Sequence, residues 1–196
     1  LACAPAMMGN TVLWKPASSS VYSNYWIMKL LEEAGLPAGV INFIPTSGSI
    51  IASEVLPDPN LAGIHFTGST EVFRRIWSTV GENIGSYQNY PRVVGETGGK
   101  DFVFAHESAD VDALVCGLLR GAFEYQGQKC SAASRAYIPE SIWDETLEKL
   151  KASVGSIAQG DPRDLGNFMA AVIDKPSFDR IQSYIDYARE SREAEL

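Results

Sequence analysis

Short apolar runs alternate along the first half of the chain with stretches whose apolar residues recur at helical spacing. The run 11–14 (TVLW) is typical of a buried strand, and from about Ser20 the apolar residues fall on one face of a helix. Gly35 and Pro37 predict the end of that helix. Further strands are predicted at 40–44, 62–66 and 92–95, with helices at 50–56 and from Thr70 onward. Strands that alternate with helices in this way predict βαβ units with a parallel sheet.

The same alternation restarts after Gly98 and Gly99. A strand is predicted at 102–104, and Asp110 stands where it would cap the helix that follows. That helix leads into a polar turn around Cys130. The remaining elements are predicted as a strand at 134–138, a helix with its N-terminal cap at 141–144 and a last helix from Pro176.

The glycine pair is the predicted domain boundary. We expect residues 1–98 to form one α/β unit and residues 99–196 to begin another. The chain opens without an initiator Met and closes in a charged run, so a segment of a longer protein is expected. Any targeting peptide is then expected outside these residues.

Composition narrows the classes of partner. The net charge of −8 argues against nucleic acid, because phosphate binding uses clustered Lys and Arg. No apolar run approaches the roughly 18 residues needed to span a bilayer, so no membrane partner is expected. Three scattered cysteines and two histidines form no disulfide framework and no ligand spacing, so no metal site is predicted.

Cys130 is the main candidate for chemistry. It lies in a polar turn between a predicted helix and a predicted strand, and Lys129 precedes it. The reactive form of cysteine is the thiolate, which a neighbouring cation favours, so this placement suits a nucleophile. For an average cysteine, a small buried hydrophobic residue is the commoner interpretation.

Three other positions each have a functional and an ordinary interpretation. Glu96, flanked by glycines, is either a solvated surface acid or a general base that acts on a thiol or on water. The Gly68-Ser69-Thr70 run between a strand and a helix is either an ordinary helix cap or a phosphate site. Lys15, just past a strand, is either a solvated charge or a contact to ribose or phosphate. The Gly-x-Gly-x-x-Gly pattern of standard dinucleotide sites is absent from the sequence.

Taken together, these segments resemble the aldehyde dehydrogenase superfamily over the whole chain. The resemblance rests on Glu96-Thr97-Gly98-Gly99-Lys100, the Gly-Gln-x-Cys pattern that ends at Cys130, and Phe66-Thr67-Gly68-Ser69-Thr70. It implies a Rossmann-like parallel-sheet NAD-binding domain, followed by the first part of an α/β catalytic domain. This would be an incomplete aldehyde dehydrogenase fold, and the cofactor would be NAD, which the family binds without the glycine fingerprint.

The resemblance also implies roles for single residues. Cys130 would be the nucleophile and Glu96 the general base. Lys15 would bind the adenosine ribose, and Ser69 the pyrophosphate beside Gly68. Ser18 stands where many members have a ribose-binding Glu, which leaves the preference between NAD and NADP open.

The segments 1–10 (LACAPAMMGN), 160–162 (GDP) and 171–174 (AVID) narrow the resemblance within the superfamily. They resemble the members that oxidise L-glutamate 5-semialdehyde to glutamate in proline catabolism. Lys129 would then attract the substrate carboxylate, or alternatively lower the pKa of the thiol or point to solvent, and Ser131 would donate a hydrogen bond to the substrate. Another semialdehyde dehydrogenase and a non-catalytic homologue are the alternatives. The resemblance further implies a mitochondrial matrix location and a homo-oligomer of the full-length protein.

The resemblance finally implies site residues outside this chain. They are an Asn of the oxyanion hole, a Glu that holds the nicotinamide ribose and a loop that anchors the substrate. We therefore expect the isolated 196 residues to be inactive and to expose apolar surface.

Overall fold

The computed structural model describes residues 1–193 and divides the chain into two compact units, Leu1–Thr97 and a second from Gly98 onward. The first unit begins with α1, a helix of five residues that the sequence patterns did not predict. Its remaining elements alternate in the predicted way. In chain order the elements of this unit are α1 (Cys3–Met7), β1 (Val12–Trp14), a 3-10 turn (Ser18–Ser20), α2 (Val21–Glu33), β2 (Ile41–Phe43), α3 (Gly48–Ile50, continued as a π-helical turn, Ile51–Val55), β3 (Gly63–Thr67), α4 (Thr70–Glu82) and β4 (Arg92–Glu96).

The second unit repeats the alternation and ends in two longer helices. Its described elements are β5 (Asp101–Phe104), α5 (Val111–Phe123), a 3-10 turn (Glu124–Gly127), β6 (Ala133–Tyr137), α6 (Glu140–Gly155) and α7 (Lys175–Glu190).

All the strand pairs in the described part of the chain are parallel, as the alternation predicts. In each pair the two strands are consecutive along the chain, and a helix between them makes the crossover that parallel pairing requires. In the β3–β4 pair the register runs from Gly63 opposite Arg92 to Thr67 opposite Glu96. Within residues 1–193 the strands form three separate pairs, β1–β2, β3–β4 and β5–β6, and not one continuous sheet.

Side-chain caps fix where the main helices begin. Ser69 caps α4 by accepting a hydrogen bond from the Val72 amide, and Asp110 caps α5 as predicted. The predicted cap of α6 at 141–144 is wrong, because the helix already begins at Glu140. Pro139 precedes it, with a φ of −60°, and its fixed φ suits the entry to a helix.

The core of the second unit lies where α5 packs against α6 and β6. Val115 and Leu118 of α5 are buried there. Thr146 of α6 is fully buried, and its hydroxyl donates to the Ile142 carbonyl at 2.6 Å. Lys149 joins the two helices by ion pairs with Asp112 of α5 and Glu145 of α6.

Much apolar surface remains outside these cores. The accessible surface is 14161 Å², whereas two separate folded domains of half this mass would expose about 11,000 Å² in total. Strand residues contribute to the excess, since Phe102 and Phe104 of β5 are 62% and 74% exposed. Two apolar side chains three residues apart on α7, Phe178 and Ile181, are also exposed.

Candidate active site and cofactor site

Cys130 lies in the connection between α5 and β6. The backbone makes a turn there, in which the Ala132 amide donates to the Lys129 carbonyl at 3.2 Å. Lys129, Cys130 and Ser131 are all exposed. Cys130 is therefore not a buried hydrophobic residue. Its exposure fits a thiol that a substrate can reach.

Gly99 lies against the backbone of Cys130. A β-carbon at position 99 would lie 2.3 Å from the Cys130 carbonyl oxygen and 2.4 Å from a carboxylate oxygen of Asp101. Gly99 of the Glu-x-Gly-Gly-Lys motif therefore meets the Gly-Gln-x-Cys motif through a backbone contact within the second unit. Because a β-carbon would clash there, only glycine at position 99 permits this contact.

Lys129 is held by an acid that the sequence patterns did not single out. Its Nζ lies 2.5 Å from Oε2 of Glu124 and 5.7 Å from the ring centroid of Tyr125. The other oxygen of Glu124 pairs with Arg120 at 2.5 Å. Lys129 first, and then Arg120, hold the pKa of Glu124 below its ordinary value. The spacing of Arg120 and Glu124, four residues apart on a helical pattern, was the available sequence signal.

Two glutamines of the same turn reach a distant segment of the second unit. The Gln126 side-chain amide donates to the Ala171 carbonyl at 2.8 Å. The Gln128 carbonyl oxygen accepts from the Ile173 amide at 2.9 Å. Gln128 also donates to the Tyr125 carbonyl within the turn. The contacts across 45 residues have no local sequence signal, so sequence reasoning missed them.

Glu96 is the last residue of β4 and belongs to the first unit. It is exposed, and its backbone carbonyl accepts a hydrogen bond from the Gly68 amide at 3.1 Å. The β3–β4 pairing thus fixes the candidate base and the candidate phosphate loop at the same end of one strand pair.

Gly68 and Ser69 form the short link between β3 and α4. The Ser69 hydroxyl oxygen accepts from the Val72 amide at 3.3 Å, so the ordinary function as a helix cap is present. Its hydroxyl hydrogen can still be donated to a ligand oxygen. The space beside Gly68 is filled by Phe66, since a β-carbon at position 68 would lie 2.5 Å from that ring. The link brings the N-terminus of a 13-residue helix to the carboxyl end of a parallel strand, a usual phosphate site.

Lys15 and Ser18 follow the carboxyl end of β1. Lys15 is half-buried, and its Nζ donates to the Pro16 carbonyl at 2.6 Å. Ser18 lines an open depression of about 640 Å³. The other main walls of this depression are aromatic: Tyr22, Tyr25 and Phe43.

These groups fit a nucleoside phosphate in type. Amides at a helix N-terminus and the Lys15 cation suit phosphate, hydroxyls suit ribose, and aromatic walls suit a base. In the part of the chain that the structure describes, no group of three or more His, Cys, Asp or Glu side chains is arranged to hold a metal ion. Nor does any helix of residues 1–193 have the length and apolar character to cross a membrane.

Comparison with known proteins gives a family match over nearly the whole chain. The model of the aldehyde dehydrogenase family matches residues 1–195. A protein of Dictyostelium discoideum named mitochondrial Δ1-pyrroline-5-carboxylate dehydrogenase is 54% identical over 100% of this chain and 36% of its own length. A human protein of the same name is 46% identical over 97% of this chain and 34% of its own length. The chain thus spans about a third of the length of these curated relatives.

Solved structures give the same result. A crystal structure of Δ-pyrroline-5-carboxylate dehydrogenase from Mycobacterium tuberculosis bound with NAD superposes with a TM-score of 0.94 at 51% identity. It is matched over 98% of this chain and 36% of that chain. A 1-pyrroline-5-carboxylate dehydrogenase from Thermus with bound NAD gives a TM-score of 0.86 at 32% identity, over 92% of this chain and 35% of that chain.

Proposed function

Since the chain belongs to the aldehyde dehydrogenase family, we propose that its full-length gene product oxidises L-glutamate 5-semialdehyde, formed from Δ1-pyrroline-5-carboxylate, to glutamate with NAD. Two curated relatives, 54% and 46% identical, and a solved structure that is 51% identical carry the name of that enzyme. Each of them is matched over nearly the whole of this chain. The α/β fold with parallel strands that the sequence predicts is confirmed, as part of the family's fold.

The exposure of Cys130 in its turn is the observation that carries the chemistry. The thiolate sulfur attacks the aldehyde carbon, a C–S bond forms, and the carbonyl electron pair moves to the oxygen. The backbone N–H of Cys130 is a donor for the resulting oxyanion. Bound NAD would supply the hydride acceptor, so that loss of a hydride from this carbon turns the thiohemiacetal into a thioester.

Glu96 is the proposed general base. It takes a proton from the water that attacks the thioester carbon, so that the C–S bond breaks and the thiolate returns. The support is its place in the Glu-x-Gly-Gly-Lys motif, whose Gly99 contacts the Cys130 backbone. The net change is one aldehyde and one water to one carboxylate, with the hydride on the nicotinamide and two protons released.

The proposed cofactor contacts lie in the first unit. Ser69 and the α4 N-terminus beside Gly68 take the pyrophosphate, and Lys15 and Ser18 take the adenosine ribose. We propose residues 1–98 as the NAD-binding part and residues 99–196 as the start of the catalytic part. The aromatic depression beside Ser18 supports the assignment of the nucleoside end.

Ser131 and Lys129 are the proposed contacts to the substrate carboxylate. Both are exposed next to the nucleophile. The Lys129 cation is also paired with the carboxylate of Glu124 at 2.5 Å. The mitochondrial names of the relatives support a mitochondrial location, for which we propose the matrix, and a homo-oligomer is proposed by family resemblance.

The test is NADH formation by the full-length gene product, with pyrroline-5-carboxylate compared with a panel of simple aldehydes and succinic semialdehyde. We expect a strong preference for pyrroline-5-carboxylate that Cys130→Ala abolishes. Equal turnover of simple aldehydes would contradict the proposed substrate but would still agree with the proposed reaction at Cys130. No turnover of any aldehyde would favour a non-catalytic homologue.

A further inference from the structure

The chain makes a left-handed turn immediately before the nucleophile. Tyr125, Gln126 and Gly127 have φ angles of +57°, +59° and +67°. For residues other than glycine this region costs about 1–2 kcal/mol each. Two such residues in succession persist only where surrounding contacts hold them, so the turn requires an external restraint.

One carboxylate supplies a restraint across the whole turn. Glu124 directly precedes the three left-handed residues, and Lys129 lies two residues after them, next to Cys130. Their side chains join at 2.5 Å, so the ion pair closes the two ends of the turn on each other. The second carboxylate oxygen is bound by Arg120 in the last turn of α5. The two linked ion pairs, Arg120–Glu124 and Glu124–Lys129, therefore connect the turn before Cys130 to α5.

The surroundings of the pair favour this closed arrangement. Glu124 and Lys129 are only 33% and 38% exposed at the side chain, so water screens them less than the ion pairs of α7, for example. The Lys129 ammonium also lies over the Tyr125 ring, itself a member of the left-handed turn. Lys129 first, and then Arg120, lower the pKa of Glu124, so its carboxylate stays ionised in more acidic solution than that of an ordinary glutamate.

We propose that Glu124 is a positioning residue, which holds the Cys130 turn in its left-handed form by binding Lys129 and Arg120 at once. The proposal rests on the proposed function, because it takes Cys130 as the nucleophile. It assigns the Lys129 cation a structural partner, in addition to any contact with the substrate carboxylate.

The three possible roles of Lys129 predict different results for two variants, Glu124→Gln and Lys129→Met. If the pair holds the turn, both variants change kcat and the rate of Cys130 alkylation in the same direction. If Lys129 acts only on the charge of the thiol, the two variants shift the dependence of alkylation on pH in opposite directions. Glu124→Gln leaves the Lys129 cation without its carboxylate partner, whereas Lys129→Met removes the cation. If Lys129 only binds substrate, Lys129→Met raises KM while Glu124→Gln does not.

The experiment uses the full-length gene product with both single variants, their double variant and Lys129→Arg. We measure kcat and KM with pyrroline-5-carboxylate, and separately the iodoacetamide alkylation of Cys130 without NAD or substrate. Glu124→Gln is expected to lower kcat about tenfold with little change in KM. Lys129→Met is expected to lower kcat by a similar factor and also to raise KM, because it removes a proposed contact to the substrate carboxylate. The double variant is expected to have a kcat no lower than that of the single variants, since effects of neighbours in one network are not additive. Lys129→Arg, which keeps the cation, is expected to recover most of kcat.

Asp179→Asn is the matched control. It removes one carboxylate from another ion pair of the same unit, Lys175–Asp179 on α7, and should leave both readouts unchanged. Additive effects, opposite effects of the single variants, or wild-type values in both would overturn the proposal. If Glu124→Gln does not fold, Lys129→Met and Lys129→Arg test the pair from its other side. If wild type turns over no aldehyde, the proposed function fails, and same-direction, non-additive alkylation rates still decide the positioning role.

Discussion

The backbone at Gly99 lies against the carbonyl oxygen of Cys130, with a gap that no β-carbon can enter. The same glycine belongs to the motif that contains Glu96. The contact therefore makes the position of the turn at Cys130, the proposed nucleophile, depend on a residue that carries no functional group. Its neighbour Gly98 has open space at the corresponding position.

We predict that Gly99→Ala disturbs the nucleophile turn and that Gly98→Ala does not. Overpacking at position 99 is expected to cost about 1–3 kcal/mol of unfolding free energy. It should also lower kcat at least about tenfold, because misplacement by about 1 Å can cost ~100-fold. Thermal unfolding and steady-state kinetics of the full-length gene product measure both. Equal behaviour of the two variants would contradict the close contact.

Ser69 has two proposed tasks, a cap for α4 and a contact to pyrophosphate, and one substitution separates them. Asp is as good a cap as Ser, so Ser69→Asp should keep the melting temperature. It also adds a negative charge where phosphate is proposed to bind. We predict that the Kd for NAD rises about tenfold or more, which corresponds to a repulsion of about 1.4 kcal/mol.

Isothermal titration with NAD measures this effect, and Ser47→Asp is the control. Ser47 caps α3 by accepting from the Ile50 amide, so it receives the same substitution at a cap with no proposed ligand. If NAD affinity is unchanged by Ser69→Asp, the pyrophosphate does not bind at this helix.

The parts of the fold that could be predicted from sequence are those with local causes. The helices α4 and α5 begin where a Ser and an Asp stand before an apolar periodicity, and both caps form. The parallel pairing follows from the alternation of strands and helices, which leaves a helical crossover as the connection.

The parts that sequence reasoning missed have causes at long range or in backbone geometry. Nothing local predicts that two non-glycine residues, Tyr125 and Gln126, adopt left-handed conformations, because residue preferences favour the opposite. The hydrogen bonds from Gln126 and Gln128 to the 171–173 segment depend on tertiary placement. The functional roles of Cys130 and Glu96 remain predictions from motif resemblance.

The cap of α7 should make the stability of this helix depend on pH. The Asp174 side chain accepts from the Ser177 amide at 2.8 Å. Hydrogen bonding with the Ser177 side chain first, and with this amide second, holds the pKa of Asp174 below its ordinary value. Because the folded-state pKa is the lower one, the stabilisation is complete above the ordinary pKa of 3.8 and is lost as pH falls through the folded value. Hydrogen exchange of the first α7 amides, compared at pH 6 and pH 3, measures the loss.

Asp174→Asn provides the control for this effect. Its amide oxygen still accepts from Ser177, but it does not titrate, so the difference between the two pH values should shrink in the α7 amides alone. An unchanged pH response in this variant would mean that other groups cause it.

The exposed apolar surface predicts how the 196 residues behave alone. Their accessible surface of 14161 Å² exceeds the expectation for two folded domains. Large apolar side chains are open to solvent on β5, at Phe104, and on α7, at Phe178. Surface of this kind marks contact sites or causes association.

We predict that the isolated chain binds a hydrophobic dye, self-associates in analytical ultracentrifugation and forms no NADH from pyrroline-5-carboxylate. Full-length gene product at the same molar concentration is the control, and it should bind less dye and be active. Measurable turnover by the isolated chain would show that these residues already contain every group the reaction needs, and the family residues expected outside them would then be dispensable.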